Sequence, residues 1–474
     1  MIGSFAPIRI AAISLLSLLA SSAPLAWGQV QQQVPVVMGV QPIVGGGSRS
    51  YPPPAYYSAF GPLNEGDYKS ALQMFHRDLE GAYHFGQSRW IDSICSYTMV
   101  GETQFRLGDY RNALENYENA LRLYMQFSNW MLRVQFPAVI GPAPLRVAPW
   151  GKSTRGSRPA RFPETFQIAM GMSNVDIQNT LHTGGPVVPA QLLSVNAAEL
   201  VRCTCLAMQR RRQILGPLVV HDSLTDDVLA QTARRQGPPN HWSEAWLDAQ
   251  QGMAYSAAGK TSQAIALLQR SLTMAQGQYD HPVTGLALLE LGHLAMESGD
   301  YKAAAGYFEE ATYTGFDYSD AAVIEEGFRN LFLAHVATSD LQMLDTALAQ
   351  VAGWARNLRE LHASVLLSAA ESAAIRGQTQ QAIGLLKEAS GNNVIGRRTM
   401  ANCAIGSRYN YLTAITQYQL GAIAAGDAAI NTALVWQKDG ALRLFQIALA
   451  DTLSINGRFP PRVAMALYQQ LLND

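Results

Sequence analysis

The stretch Ser298-Gly299-Asp300-Tyr301-Lys302-Ala303-Ala304 decides the fold, because copies of it recur along the chain. Gly-Asp-Tyr also stands at 66–68 and at 108–110, and weaker copies begin at Gly259 and Gly377. The glycines at 66 and 108 are 42 residues apart, and those at 259 and 299 are 40 residues apart. Such a near-constant period indicates stacked units of equivalent structure.

Each copy carries the signals of a helix, a tight turn and a second helix. The glycine suits the left-handed conformation in which many helices end, and the aspartate after it can cap the free amides of the next helix. An alanine and then an aromatic residue or leucine follow at fixed spacing, as expected where helices pack closely. In three units these positions are Gly101, Gly108, Ala113, Tyr117 and Ala120; Gly252, Gly259, Ala264, Leu268 and Ser271; and Gly292, Gly299, Ala304, Phe308 and Ala311.

This pattern resembles the tetratricopeptide repeat, whose signature is W-x2-L-G-x2-Y in the first helix and A-x3-F in the second. Ala113-x3-Tyr117 and Ala304-x3-Phe308 keep the second half, and the first half is matched loosely. The period near 40 departs from the usual value of about 34 and is similar to the long-repeat variants of the family. The resemblance implies an all-α solenoid of stacked antiparallel helical hairpins, interrupted by one long insertion rich in proline and arginine.

The N-terminal 60 residues are expected to lie outside this solenoid. Residues 1–28 have the pattern of a secretory signal peptide, with Arg9, an apolar run from 10 to 19 and a small-x-small cleavage site at 26–28. The apolar run is shorter than a membrane-spanning helix, although an uncleaved anchor is the alternative. We therefore expect an exported protein of secreted bacterial type, in the periplasm, in the cell envelope or outside the cell. The Gln, Pro and Gly of 29–60 predict a disordered tether.

The remaining chain divides into two helical parts around the insertion. Residues 61–136 and 189–474 are expected to form repeat hairpins, with helices from 190 to 215 and from 223 to 235 directly after the insertion. Between 137 and 188 the prolines exclude a continuous helix. The last predicted helix, 461–472, is still apolar, so that it either packs back on the array or the chain is truncated at its C-terminus.

Charge is distributed unevenly, although the formal net charge of -1 gives no global reason to expect nucleic acid or an anionic membrane as partner. Residues 137–235 hold eleven Lys or Arg against six acids, whereas 280–335 hold ten acids against two cations. Ordinary solvated helix faces would explain both. Alternatively, the basic insertion binds an acidic partner or cell-envelope polymer, or it folds against the acidic part of the array.

The sequence predicts no cofactor, metal or catalytic site. Gly151-Lys152-Ser153-Thr154 resembles the end of a phosphate-binding loop, but Arg146 stands where that motif needs a glycine. The histidines have no metal-site spacing, and Cys203 and Cys205 are expected to be small buried hydrophobic residues. We expect no enzyme activity from the residues present.

The sequence therefore favours an extracytoplasmic scaffold that binds a partner protein in the solenoid groove or on the insertion. The resemblance implies a groove lined by the first helix of each hairpin, and the candidate contacts are Trp246, Met253, Leu289, His293, Met296, Arg329 and Asn330 from the groove, with Arg155, Arg158 and Arg161 from the insertion. One alternative is a regulatory repeat region of a larger enzyme, with a caspase-like protease or glycan-cleaving domain beyond residue 474. Another is binding of a cell-envelope polysaccharide, which would need Trp130, Trp150 and Trp242 as exposed aromatic platforms.

Overall fold

The computed structural model describes residues 50–85, 88–170, 191–395 and 402–433, together with positions 182 and 435, of the 474-residue chain. The predicted signal peptide lies outside the described residues, as do residues 29–49 of the predicted tether. The same holds for most of 171–190 and for the predicted helices near the C-terminus after residue 435.

Helices make up most of the described chain, and consecutive helices pack on each other in pairs. The pairs α4 with α5, α8 with α9, α10 with α11, and α14 with α15 are in close contact, and each also packs on an adjoining helix. The helices are α1 Pro54–Ser58, α2 Phe60–Asn64, α3 Tyr68–Gly81, α4 Ser93–Arg106, α5 Tyr110–Gln126, α6 Ala197–Leu215, α7 Ser223–Thr232, α8 Glu244–Ala257, α9 Thr261–Ser271, α10 Thr284–Glu297, α11 Tyr301–Asp317, α12 Ala321–Thr338, α13 Asp345–Trp354, α14 Arg359–Ile375, α15 Thr379–Ser390 and α16 Cys403–Gln419. The predicted all-α solenoid is confirmed.

The repeated glycines act as the sequence predicts. Gly108 has a φ of 75° at the turn between α4 and α5, a conformation that side chains other than glycine rarely adopt. Gly292 on α10 lies against the ring of Phe308 on α11, and a Cβ there would stand 2.4 Å from a ring carbon. Asp300 caps α11 by accepting a hydrogen bond from the amide of Ala303 at 3.0 Å. The repeated glycine on the first helix and the aromatic residue on the second helix therefore pack directly against each other.

Short strands lie before α1, in the insertion and in some of the connections between helices. They are β1 Ser50–Tyr51, β2 His84–Phe85, β3 Ser88–Arg89, β4 Val134–Gln135, β5 Gly141–Pro142, β6 Arg158–Arg161, β7 Phe166–Met170, β8 Gln191–Val195 and β9 Tyr279–Asp280. They form a sheet in the order β1-β8-β7-β4, a hairpin of β2 and β3, and a sheet in the order β5-β6-β9.

Two predicted boundaries were wrong. The disordered tether does not extend to residue 60, because β1 pairs with β8 and the Tyr56 ring on α1 is fully buried. The helix predicted from residue 190 begins at Ala197 instead. Residues 191–195 form the strand β8, which pairs with β7 over five residues. Both errors have one cause, since these segments are ordered by partners more than 20 residues away in sequence.

The described part of the insertion, residues 137–170, lies across α11 and is called the strap from here on. Trp150 is buried there and donates from Nε1 to the hydroxyl of Thr312 at 3.0 Å. Arg155 donates to both carboxylate oxygens of Asp280, at 2.7 and 3.2 Å. The insertion therefore folds against the acidic part of the array, as one of the sequence alternatives predicted.

The two ends of the described array touch. Arg106 at the end of α4 and Glu360 at the start of α14 form an ion pair at 2.5 Å. A Cβ on Gly108 would lie 2.9 Å from Cys403 at the start of α16, and α2 contacts α14. The hairpins thus curve until the first meets the last. None of the helices in the described ranges combines the length and the apolar character that crossing a bilayer requires.

Candidate binding cavity

The inner side of this curve encloses a cavity of about 340 Å³. Its walls come from the first helices of the hairpins, mainly α4, α6, α12, α14 and α16. The volume falls in the range of about 300–1,000 Å³ that is usual for ligand pockets. The charged residues that line it are Glu102, Arg106, Arg210, His293, Glu325, Glu326, Arg329, Glu360 and Arg408.

Buried ion pairs hold the wall of the cavity together. Arg210 on α6 donates to Glu102 on α4 and to Glu326 on α12, both at 2.8 Å. Arg106 binds Glu102 at 3.2 Å and Glu360 at 2.5 Å. Each of these five side chains is largely shielded from solvent, so removal of one partner would leave an uncompensated buried charge. These four ion pairs form one connected network, called the ion lattice from here on, which links the helices α4, α6, α12 and α14.

Burial and the arginines act in opposite directions on the carboxyl pKa values. For Glu102, burial raises the pKa, but Arg210 and Arg106 outweigh it and bring the pKa to about 2. Burial likewise raises the pKa of Glu326, and Arg210 and His293 then hold it well below its usual range. At Glu360 burial prevails over Arg106, and the pKa is raised. The arginines of the cavity wall therefore favour the ionised forms of Glu102 and Glu326.

Two arginines that line the cavity are only partly hydrogen-bonded. Arg329 uses Nε for Glu325 at 3.1 Å, and its side chain is 37% exposed. Arg408 binds Glu371 at 2.7 Å, while its buried Nη1 has no hydrogen-bond partner among the described residues. An unsatisfied buried donor costs about 1–3 kcal/mol. A carboxylate near these guanidinium groups would accept charge-assisted hydrogen bonds.

A second cavity of about 320 Å³ adjoins the first and shares Glu102 and Arg106 with it. Phe60, Met99 and Leu206 contribute apolar groups to its lining, beside the charged side chains of Glu199, Arg202 and Asp320. The two cavities together present charged and apolar side chains along the inner wall. Such a combination suits a polypeptide segment that carries both kinds of side chain.

The predicted groove residues divide into two groups in the structure. His293 and Arg329 line the first cavity, and His293 lies 3.1 Å from Glu326. Trp246, Met253 and Leu289 are in the core, with exposures of 0%, 2% and 0%. The prediction that these three line a groove is wrong, because the hairpins pack on both sides of their helices.

The remaining predicted contacts are placed as follows. Asn330 is buried and donates to the carbonyl oxygen of Glu326 at 2.9 Å. Met296 is partly buried and packs against the core. Among the arginines of the insertion, Arg155 is bound to Asp280, whereas Arg158 and Arg161 are exposed.

The tryptophans proposed as sugar-binding platforms are core residues. Trp130, Trp150 and Trp242 are only 3%, 8% and 9% exposed. Trp242 also uses its indole Nε1 for the carbonyl oxygen of Pro137 at 2.8 Å. The prediction that these three tryptophans are exposed stacking platforms is therefore wrong.

Sequence reasoning missed the arginines of the ion lattice. The run Arg210-Arg211-Arg212 is visible in the sequence, but there it contributes only to the excess of basic residues between 137 and 235. Arg211 instead binds Asp222, and Arg212 binds Glu290 and Glu297. Over the residues that the structure covers, no group of three or more His, Cys, Asp or Glu could hold a metal ion.

Comparisons with known proteins bear on two segments of the array. Models of the tetratricopeptide repeat match residues 96–124, which span most of α4 and α5, and residues 243–312, which run from α8 into α11. In these two segments the chain matches the tetratricopeptide repeat. Both segments carry the Gly and aromatic positions that suggested the repeat, so the resemblance is confirmed at this level.

Two further comparisons add little to the repeat assignment. Among solved structures, the chain is similar to one described as "Crystal structure of APC/C hetero-tetramer Cut9-Hcn1", with 14% identity and a TM-score of 0.33 over 88% of this chain and 83% of that chain. This likeness is too weak to bear on function. A search of curated proteins found no match to the chain.

Proposed function

We propose that this protein is an exported interaction scaffold that binds a segment of a partner protein in the two joined cavities. The observation that carries the proposal is the first cavity, which is lined by the partly exposed side chain of Arg329 and by Arg408, whose Nη1 has no hydrogen-bond partner among the described residues. Tetratricopeptide repeats, by their stacked hairpins, form extended concave binding surfaces. The signal-peptide pattern of residues 1–28 supports export.

The partner segment is expected to carry an acidic group, which would bind near the arginines of the first cavity, and an apolar side chain, which would contact Phe60, Met99 and Leu206 in the second. Glu102, Glu325, Glu326 and Glu360 already balance much of the positive charge, so a single carboxylate is a better fit than a strongly acidic run.

Affinity capture from a cell-envelope extract tests this function. Wild-type protein and the variant Arg77→Gln, changed at an exposed arginine of α3 outside the cavity, should recover the same partner. The Arg329→Gln variant should recover much less of it, and Arg329→Glu less still. Circular dichroism of each variant controls for folding.

Equal recovery by Arg329→Gln and wild type would overturn the proposal. The strap is better tested by Arg158→Gln and Arg161→Gln than by its deletion, because deletion would remove the buried Trp150 from the core. Unchanged recovery by these two variants is expected.

A further inference from the structure

Six exposed side chains give the strap a surface that is both apolar and cationic. Val139, Leu145 and Val147 are 81%, 71% and 67% exposed, which are high values for aliphatic side chains in a folded protein. Lys152, Arg158 and Arg161 are exposed as well. These six residues are called the cationic-apolar patch.

The members of the patch are neighbours in space. Leu145, Val147, Lys152 and Arg158 line one shallow cavity of about 220 Å³ between the strap and α11. Strand β5 begins two residues after Val139 and pairs with β6, which contains Arg158 and Arg161. The patch therefore lies around the paired strands β5 and β6.

The cations of the patch differ from the arginines that anchor the strap. Arg155 is bound to Asp280, and Arg146 lies over the ring of Phe316 at 4.5 Å. By contrast, within the described residues the side chains of Lys152, Arg158 and Arg161 have no carboxylate partner within 4.0 Å. Glu164 is the only acid between 137 and 170. Three positive charges thus face solvent beside three aliphatic side chains.

We propose that the cationic-apolar patch binds the surface of a bilayer that contains anionic phospholipids. The aliphatic side chains would enter the headgroup region, and the three cations would lie at the level of the lipid phosphates. An acidic polymer would engage the cations but would leave Val139, Leu145 and Val147 in water. The chain's net charge of -1 does not oppose this binding, since salt screens charges beyond about 8–10 Å. The proposal is independent of the function proposed for the cavities.

Vesicle flotation of the full chain tests this proposal. The readout is a ratio of two binding constants. The first is for vesicles of phosphatidylcholine with about 30% phosphatidylglycerol, whose anionic headgroups attract basic residues, and the second is for vesicles of pure phosphatidylcholine. Wild type should prefer the anionic vesicles. The triple variant Lys152→Gln, Arg158→Gln and Arg161→Gln should bind them about 150-fold more weakly, which corresponds to about 1 kcal/mol per cation.

A second variant and a matched control separate the alternatives. Leu145→Ser with Val147→Ser should weaken binding to the anionic vesicles by roughly tenfold or more, since apolar burial contributes to interfacial binding. The control triple Arg77→Gln, Arg111→Gln and Lys302→Gln removes three exposed cations elsewhere and should bind as wild type does. Any binding by the apolar leader is common to all variants.

Three results would overturn the proposal. The first is the absence of a preference for anionic vesicles, and the second is an equal loss in the control triple. The third is full binding by the Leu145→Ser and Val147→Ser variant, which would show that the aliphatic side chains do not enter the bilayer. Binding to polyglutamate without binding to vesicles is a case of the first result and would identify an acidic polymer as the ligand of the patch.

Discussion

Replacement of Gly292 by alanine tests the contact on which the repeat packing depends. The new Cβ would stand 2.4 Å from one carbon of the Phe308 ring and 2.7 Å from two others. Such distances are far below van der Waals contact, and the fully buried ring has no free space into which to move. Overpacking of this kind costs about 1–3 kcal/mol, and the short contact places Gly292→Ala at the upper end.

Helix propensity offsets part of this cost. Alanine is favoured over glycine by about 1 kcal/mol inside a helix, so the net loss in the free energy of unfolding should be about 2 kcal/mol. Gly306 on the facing helix α11 provides a matched control, because nothing lies within 4 Å of a Cβ placed there. Gly306→Ala should therefore stabilise the protein by up to about 1 kcal/mol.

Urea unfolding followed by circular dichroism measures both variants, and equal slopes make their midpoints comparable. In a Phe308→Ala background the clash is absent, and Gly292→Ala should then stabilise the protein as Gly306→Ala does. Wild-type stability or better for Gly292→Ala in the unaltered background would refute the assignment of Gly292 and Phe308 as one packed pair.

Further predictions concern the buried charges and the strap. Glu102→Gln should lower the free energy of unfolding by about 3 kcal/mol, because two buried arginines each lose one of their two carboxylate partners. Arg122→Gln, at an exposed ion pair on α5, should change it by less than about 1 kcal/mol. Urea unfolding measures both. Since Glu102 has a pKa of about 2, below its ordinary value of 4.5, stability should fall as the pH drops from 4.5 towards 2, and less steeply in Glu102→Gln. Burial raises the pKa of Asp92 from 3.8 to about 7, so its protonated form is favoured by folding; stability should fall as the pH rises through that interval, and Asp92→Asn should flatten the profile measured by thermal unfolding. Arg155→Gln should loosen the strap and speed its cleavage by subtilisin several-fold, while Arg158→Gln, whose side chain is exposed, should leave the rate unchanged.

The hairpins could be predicted because their signals are local. Gly292, Asp300 and Phe308 lie within one repeat, and the turn, the cap and the packed ring each need only residues close in sequence. Strand β8 could not be predicted in the same way, since its partners β1 and β7 are distant in the chain. Its leucines and valine are apolar residues that also suit a buried helix, so the sequence predicts that the next helix begins there.

The candidate site was predicted only in part, for a related reason. His293 and Arg329 were found from the helical phase of the repeat, which is again local. The uneven charge distribution was also visible, but five of the ten acids in 280–335 turn out to pair with arginines from 137–235. Those pairs depend on the curvature of the array, which brings the two regions together. From the sequence alone, the same residues form one basic region and one separate acidic region.

Hydrogen exchange of the protein with and without its captured partner tests whether the partner segment occupies the two joined cavities. If it does, amide exchange should slow in the helices that line the cavities, chiefly α4, α12 and α14. Exchange in the outer helices α5 and α11 should change little. Slower exchange confined to the strap or to the outer helices, with the cavity helices unaffected, would contradict binding in the cavities.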